Sequence, residues 1–301
     1  MSKYVVTADL HLRNDVPLCR KETQEEWMKT QSAMLSFIAS IANEIEADVI
    51  DVGDNFNTPR VQDEVKSLYL QFAKECKGNL HTIPANHTLP YHQKKNINES
   101  SIGVMRAVDN LHTNLHVYDC DEMSEEGRFE HSYWLKDDLV LCHTLTYPSE
   151  DDVPFFTKGI SAFKLLHKYK KAKWIFTGDN HHHFHVEDDE RHLINPGTPI
   201  IQVADMMDYT PGIYIVDTDK ETVKWVEVPN DPTMLTDNHL QDKVERNERI
   251  SAFVEVLERS RSEGRTNLSF EDNLRAACEL DGVDEDVKEI IEELLNKGGE
   301  E

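Results

Sequence analysis

Short apolar runs alternate with longer amphipathic stretches through the first third of the chain. Residues 4–8, 47–52 and 80–84 are brief, apolar and bounded by polar turns, the texture of buried strands. Between and after them, about 22–46, from Pro59 to about 77, and 101–110 carry apolar positions at helical spacing. Strands separated by helices of this length imply βαβ units and a sheet covered on at least one face. From about residue 115 short β-type runs dominate, at 115–118, 129–135, 139–143, 174–177, 192–194, 200–203, 213–217 and 223–228, with one helix at about 159–170. The pattern predicts an α/β fold of two packed sheets with helices outside. After Pro229-Asn230-Asp231-Pro232 the strand signals stop, and helical segments follow near 240–261, 270–280 and 287–296. The chain therefore divides into a main domain, 1–230, and a helical region, 231–301, that serves as a cap or as a dock for a protein partner.

Charge narrows the functional classes. The 301 residues carry a formal net charge of −25, and residues 231–301 alone hold 20 acids against 9 Lys and Arg. Such a chain does not grip nucleic acid through its own bulk charge. Any phosphate it handles needs a concentrated local source of positive charge. The five cysteines are odd in number and lack C-x-x-C spacing, which implies a reduced chain without a thiolate metal site. No run approaches the roughly 18 apolar residues of a membrane span, so a soluble, cytoplasmic protein is expected.

The candidate chemistry sits just past the apolar runs, where α/β sheets place their ligands. The first runs into Asp9-Leu10-His11, the second into Gly53-Asp54-Asn55, the third into Ala85-Asn86-His87. Residues 139–142 lead into His143, and 174–177 into Gly178-Asp179-Asn180-His181. Each signal alone is an ordinary turn; five in series point to a metal site. Oxygen and imidazole donors without thiolate suit Mn, Fe or Zn. Two such ions need a bridging carboxylate, for which Asp54 is placed, and together they supply both the missing positive charge and an activated water for phosphoester hydrolysis. No P-loop, Rossmann glycine fingerprint or Ser-His-Asp elbow is present.

The ordered set Asp-x-His, Gly-Asp, Asn-His, His and Gly-x-x-His resembles the calcineurin-like metallophosphoesterase superfamily. Within it, Gly53-Asp54-Asn55-Phe56-Asn57-Thr58 is similar to the G-D-x-F-x-T segment of SbcD-type nucleases, which include phage recombination exonuclease subunits. Asn86-His87-Thr88-Leu89-Pro90 resembles their N-H-D-x-P loop, and Asn195-Pro196-Gly197-Thr198-Pro199 their P-G-S segment. The resemblance spans about residues 1–228 and implies a four-layer α/β/β/α sandwich with a small C-terminal helical appendage. It implies one metal on Asp9, His11, Asp54 and His181, a second on Asp54, Asn86, His143 and Asp179, and His87 as a catalytic, non-ligand histidine. The implied activity is a two-metal DNA nuclease, exo- or endonucleolytic, most naturally with Mn (Mg, Fe or Zn being alternatives). It would work in recombination or repair with an SbcC-type ATPase as a homodimer, in the host cytoplasm if phage-encoded. The alternatives are a small-molecule phosphodiesterase or phosphatase of the same superfamily, or a degenerate binding subunit.

Three departures from the pattern bear on that expectation. Gly-His-x-His reads Gly178-Asp179-Asn180-His181, and the following His182, His183 and His185 leave a His181/His183 pair as the competing register; the adjacent glycine turn favours Asp179/His181. Ala85 and Thr88 flank Asn86-His87 where Gly and Asp are usual, so no carboxylate orients His87. Ile200-Ile201-Gln202 lacks the customary basic residue. Lys94 and Lys95 are the candidate substrate contacts, while the basic run 167–173 reads as solvated surface.

Overall fold

The computed structural model describes residues 3–109, 111, 114–125, 128–238, 240, 250, 251, 285, 287–289 and 291. The chain runs through β1 (Lys3–Thr7), α1 (Gln24–Ile45), β2 (Asp48–Asp51), α2 (Asp63–Glu75), β3 (Leu80–Thr82), α3 (Ser101–Asp109) and β4 (Leu115–Val117). Then come β5 (Asp121–Glu125), β6 (Arg128–Lys136), β7 (Leu139–His143), β8 (Thr146–Tyr147), β9 (Ile160–Ser161) and α4 (Ala162–Lys168). The last elements of this part are β10 (Trp174–Gly178), β11 (Phe184–Asp188), β12 (Arg191–Asn195), β13 (Gly212–Asp217) and β14 (Thr222–Glu227). One six-stranded sheet has the order β14-β13-β1-β2-β3-β4 and the other β11-β12-β10-β7-β6-β5, with β8 and β9 paired separately. β1 to β4 are parallel, as are β7, β10 and β12; the remaining strands of both sheets add antiparallel edges.

Side-chain alternation assembles the layers. Val5 and Val49 face α1 and α2, whereas Tyr4, Val6 and Ile50 face the second sheet. On that sheet Leu139, Leu141, Trp174 and Phe176 meet them, while Val140, Cys142 and Ile175 turn outward onto Leu165 and Leu166 of α4. The order is helix, sheet, sheet, helix: the α/β/β/α sandwich. α1 starts at a capping box, in which the Thr23 hydroxyl accepts from the Glu26 amide and Glu26 accepts from the Thr23 amide at 2.8 Å.

The structure differs from the sequence reading in several details, among them the strands β5, β8 and β9, which the apolar pattern did not mark. Residues 200–203 form no strand: Ile200 and Ile201 are buried, but in a loop leading to a 3-10 turn at Ala204–Met206. Conversely, β11 is an edge strand that the histidine-rich run 181–185 concealed. The chain separates into two compact units, Met1–Leu235 and Thr236–Glu301. The helices expected at 240–261, 270–280 and 287–296 lie almost entirely outside the described residues. Among the described residues no helix is long and apolar enough to cross a membrane.

Candidate metal centre

The loops after β1 and β2 continue side by side past the strands themselves. Asp9 N donates to Gly53 O at 3.1 Å, His11 N to Asp54 O at 2.8 Å, and Leu12 N to Asn55 O at 2.9 Å. This locks Asp9 and His11 beside Asp54. In the other sheet, β7 and β10 pair so that His143 lies level with Gly178, just ahead of Asp179. The Asp179 amide donates to both Asp9 carboxylate oxygens at 3.1 Å, tying the two sheets together at one spot.

All seven candidate ligands converge there. His11 Nε2 and His181 Nε2 are 3.2 Å apart. His143 Nε2 is 3.2 Å from Asp54 Oδ2, 3.9 Å from Asp179 Oδ1 and 4.0 Å from Asp9 Oδ1. Asn86 Nδ2 reaches Asp179 Oδ1 at 3.4 Å. Two ligand groups result, Asp9–His11–His181 and Asp9–Asp54–His143, with Asp9 common to both. Among the described residues, the buried Asn86 Oδ1 finds no hydrogen-bond partner, and Asp54 Oδ2 and His143 Nε2 have only each other. A buried polar atom without a partner costs about 1–3 kcal/mol, and a cation at the common focus of these three satisfies it. The donor set of carboxylates, imidazoles and an amide oxygen fits divalent ions of the Mn, Fe or Zn class.

The local backbone is bent to serve this focus. Asp9, His11, Asp54 and Asp179 all have positive φ, between 43° and 80°. Left-handed backbone at non-glycine residues costs on the order of 1–3 kcal/mol and persists where the surroundings enforce it. Two glycines make the remaining room. A Cβ on Gly178 would sit 2.7 Å from His143 Nδ1, and one on Gly53, at φ 92°, 3.0 Å from the same atom. Into that slot His143 inserts, its Nδ1–H donating to Val52 O at 2.7 Å, which fixes the tautomer and leaves Nε2 as the ligand atom.

Electrostatics follow from burial and crowding. Burial pushes the Asp9 carboxyl well above the usual carboxylate range, lowers His11 to about 3 and also lowers His181. Burial likewise opposes charge on His143, but Asp54, Asp9 and Asp179 outweigh it and raise the imidazole to about 10. Burial also opposes charge on Asp54, but His143 overrides it and holds that carboxyl below the usual range. The proton on His143 balances the surrounding carboxylates, a balance that a divalent ion held by Asp9, Asp54, His143 and Asp179 would supply instead.

His87 stands apart from the ligands at the rim. Its backbone amide donates to Asp54 Oδ1 at 3.0 Å, and its exposed ring donates from Nδ1 to Asn57 O at 3.3 Å. A backbone carbonyl thus takes the orienting place of the missing carboxylate. Thr88 instead closes the turn, exchanging hydrogen bonds of 2.8 Å with both backbone groups of Ala85. His183 is outside the cluster: its ring stacks on Trp225 at 3.8 Å, so Asp179 and His181 are the pair brought together. Asn55 and Asn180 also point away. Asn55 is buried in a network with Asp51, Tyr69 and Thr82, and Asn180 donates to Thr146 O at 2.8 Å. Burial pushes Asp51 up to about 7 within that network. Lys94 pairs with Asp119 at 3.0 Å, while Lys95 is exposed. In the basic run 167–173, Lys168 pairs with the buried Glu130 and Lys173 with Glu221.

Sequence reasoning did not foresee the supports beneath the ligands. Asn195 Nδ2 donates to Asn180 O and His182 O at 2.6 and 2.8 Å. Thr198 Oγ1 donates to Asp9 O at 2.9 Å, and Gln202, in the segment that lacks the customary basic residue, donates to Leu10 O at 3.0 Å. The Asn-Pro-Gly-Thr-Pro segment was the available signal: it buttresses the ligand loops.

No protein-family profile matches the chain, and none of the curated proteins does. Among solved structures, an archaeal phosphodiesterase is similar over 75% of this chain and 99% of its own, at 14% identity and TM-score 0.41. The TT1561 protein of Thermus thermophilus shares 8% identity at TM-score 0.42 (76% and 99% covered), and zinc-complexed Vps29 of Entamoeba histolytica 8% at 0.35 (75% and 99%). At such scores the fold and the site stand on this chain's own topology and geometry.

Proposed function

We propose that the chain is a metal-dependent phosphoester hydrolase, and within that class a DNA nuclease of the SbcD type. The observation that carries the hydrolase reading is the convergence of Asp9, His11, Asp54, Asn86, His143, Asp179 and His181 from five strand ends, with the buried Asn86 Oδ1 left unsatisfied at the focus. A pair of divalent ions, when bound, supplies Lewis-acid polarisation of the ester and a nucleophile near neutral pH. Asp54 and Asp9 would be among the groups that hold the ions, and the Val52 carbonyl keeps His143 in its ligating tautomer. His87 presents its ring at the rim to donate a proton to the leaving oxygen. The nuclease assignment is supported by the G-D-x-F-x-T and N-H-x-x-P segments. An SbcC-type ATPase partner, a homodimer and a cytoplasmic setting belong to the same proposal, since a chain of net charge −25 needs another protein to hold DNA. Mn is the proposed ion.

A second reading, a small-ester phosphodiesterase, gains from the engagement of Lys94, Lys168 and Lys173 by carboxylates. Purified protein with Mn, assayed on labelled DNA beside bis-p-nitrophenyl phosphate, separates the two. Cleavage of both is expected, with DNA cutting enhanced by the ATPase. Ester turnover with no DNA cutting even with that partner retires the nuclease assignment.

The glycine slot gives an independent check. Gly178→Ala is expected to leave the fold intact but push the His143 ring off Val52 O, lowering Mn affinity by roughly 10–100-fold, the usual effect of losing a ligand's orienting contact. Calorimetric titration measures it; unchanged affinity would show that His143 does not need this slot.

A further inference from the structure

A second cluster of ligating side chains lies on the edge hairpin of the other sheet, away from the cleft. β11 and β12 pair antiparallel with Glu187 opposite His192 and His185 opposite Ile194. Because strand side chains alternate, His185, Glu187 and His192 share one face. His192 is opposite Trp174 on the next strand and stacks on its indole at 4.2 Å and 13°, so its ring is held in place. The His185 ring lies beside it with the two planes 27° apart, and His185 Nε2 is 3.2 Å from His192 Nδ1. One ligand atom from each of His185, Glu187 and His192 falls within 4.8 Å of the others.

That nitrogen separation is what two imidazoles on one ion require. Zn–N bonds of about 2.0–2.1 Å at a tetrahedral angle put the two nitrogens roughly 3.3–3.4 Å apart. Glu187 is exposed, so rotation about its side-chain bonds brings the carboxylate onto the same point. The set His, His, Glu, with no thiolate, selects zinc-class ions over Mg or Ca. The site is separate from the cleft: His192 is level with Trp174 at the start of β10, whereas Asp179 follows the end of that strand, about 16 Å further along at strand rise.

We propose that His185, Glu187 and His192 form a third divalent-metal site, of zinc type, which clamps the edge strand β11 onto β12 and leaves one coordination position open to solvent. An unbridged edge strand is the weak margin of a sheet, and a cross-strand ion closes it.

The test counts ions as a difference, so it is independent of how many the cleft holds. The full chain is stripped with chelator and titrated with zinc alone, by calorimetry and by native mass spectrometry, as wild type, His185→Ala and Glu187→Gln. His185 and Glu187 are exposed, and their replacement leaves the core untouched. Wild type is expected to bind one more zinc than His185→Ala, and Glu187→Gln to bind that ion at least tenfold more weakly. The same difference is expected in an Asp54→Ala background, where the cleft is damaged. Equal zinc counts and affinities in wild type and His185→Ala overturn the proposal, and leave the 3.2 Å contact as a hydrogen bond between imidazoles.

Discussion

Asp54→Ala is expected to lose metal pairing and turnover together. Its two carboxylate oxygens face in different directions: Oδ1 accepts the His87 amide at 3.0 Å, and Oδ2 lies 3.2 Å from His143 Nε2. Without that carboxylate, His143 is left with Asp9 and Asp179 at 4.0 and 3.9 Å, and the catalytic loop loses its tether. The largest of the charges that raise His143 to about 10 also goes, so the imidazole holds its proton less strongly. Bridged ions supply several kcal/mol of transition-state stabilisation, so the rate should fall on the order of 10⁴-fold or more. Elemental analysis after Mn saturation is expected to give one ion or none per chain. Asp54→Asn, which tolerates the same left-handed backbone and retains an oxygen for the His87 amide, separates charge from shape. If Asp54→Ala kept two ions at wild-type affinity, Asp54 would not be the bridge, and Asp9, which belongs to both ligand groups, would replace it.

How much of this site could be read from the chain depends on the range of the contacts involved. Ligand positions at strand ends are local: an apolar run followed by Asp, Asn or His marks where a sheet delivers polar groups. Two packed sheets with helices outside were legible from the change of texture near residue 115 and the four layers from the family resemblance, whereas the face each residue of β1, β2, β7 and β10 takes appears only in the folded chain. What sequence could not resolve was non-local. His181 and His183 are alike in composition and spacing; only the stacking of His183 on Trp225, 42 residues on, removes it from the cluster. Lys94 looks available until Asp119 is folded against it. Asn55 resembles a ligand until Asp51, Tyr69 and Thr82 draw it under the sheet. The apolar run at 200–203 has strand composition, yet Ile200 and Ile201 are buried by packing rather than by pairing. The positive φ values at Asp9, His11, Asp54 and Asp179 carry no glycine to announce them. They are imposed by the junction of two sheets.

His87→Ala is expected to separate catalysis from metal binding. The residue touches the ligand cluster through its backbone, which alanine retains: the amide at position 87 still donates to Asp54 Oδ1. Its ring packs edge-on against His11 at 4.9 Å but supplies no atom to either ligand group. Anchored through Nδ1–H to Asn57 O, the ring turns Nε2 toward the leaving oxygen, and Nε2 has a proton to give only when the imidazole is doubly protonated, the form that serves as the general acid. Removing a positioned general acid costs typically 10²–10⁴-fold, so turnover of DNA or an alkyl phosphodiester should fall by that range, and that of bis-p-nitrophenyl phosphate by less, while the Mn content stays at its wild-type value. The loss should be smaller for esters with good leaving groups, whose departing oxygen needs little protonation, and larger for alkyl esters or DNA. A rate deficit independent of leaving group would make His87 a binding rather than a proton-transferring residue. Loss of an ion in His87→Ala would place the ring among the ligands, against the carbonyl that now holds it at the rim.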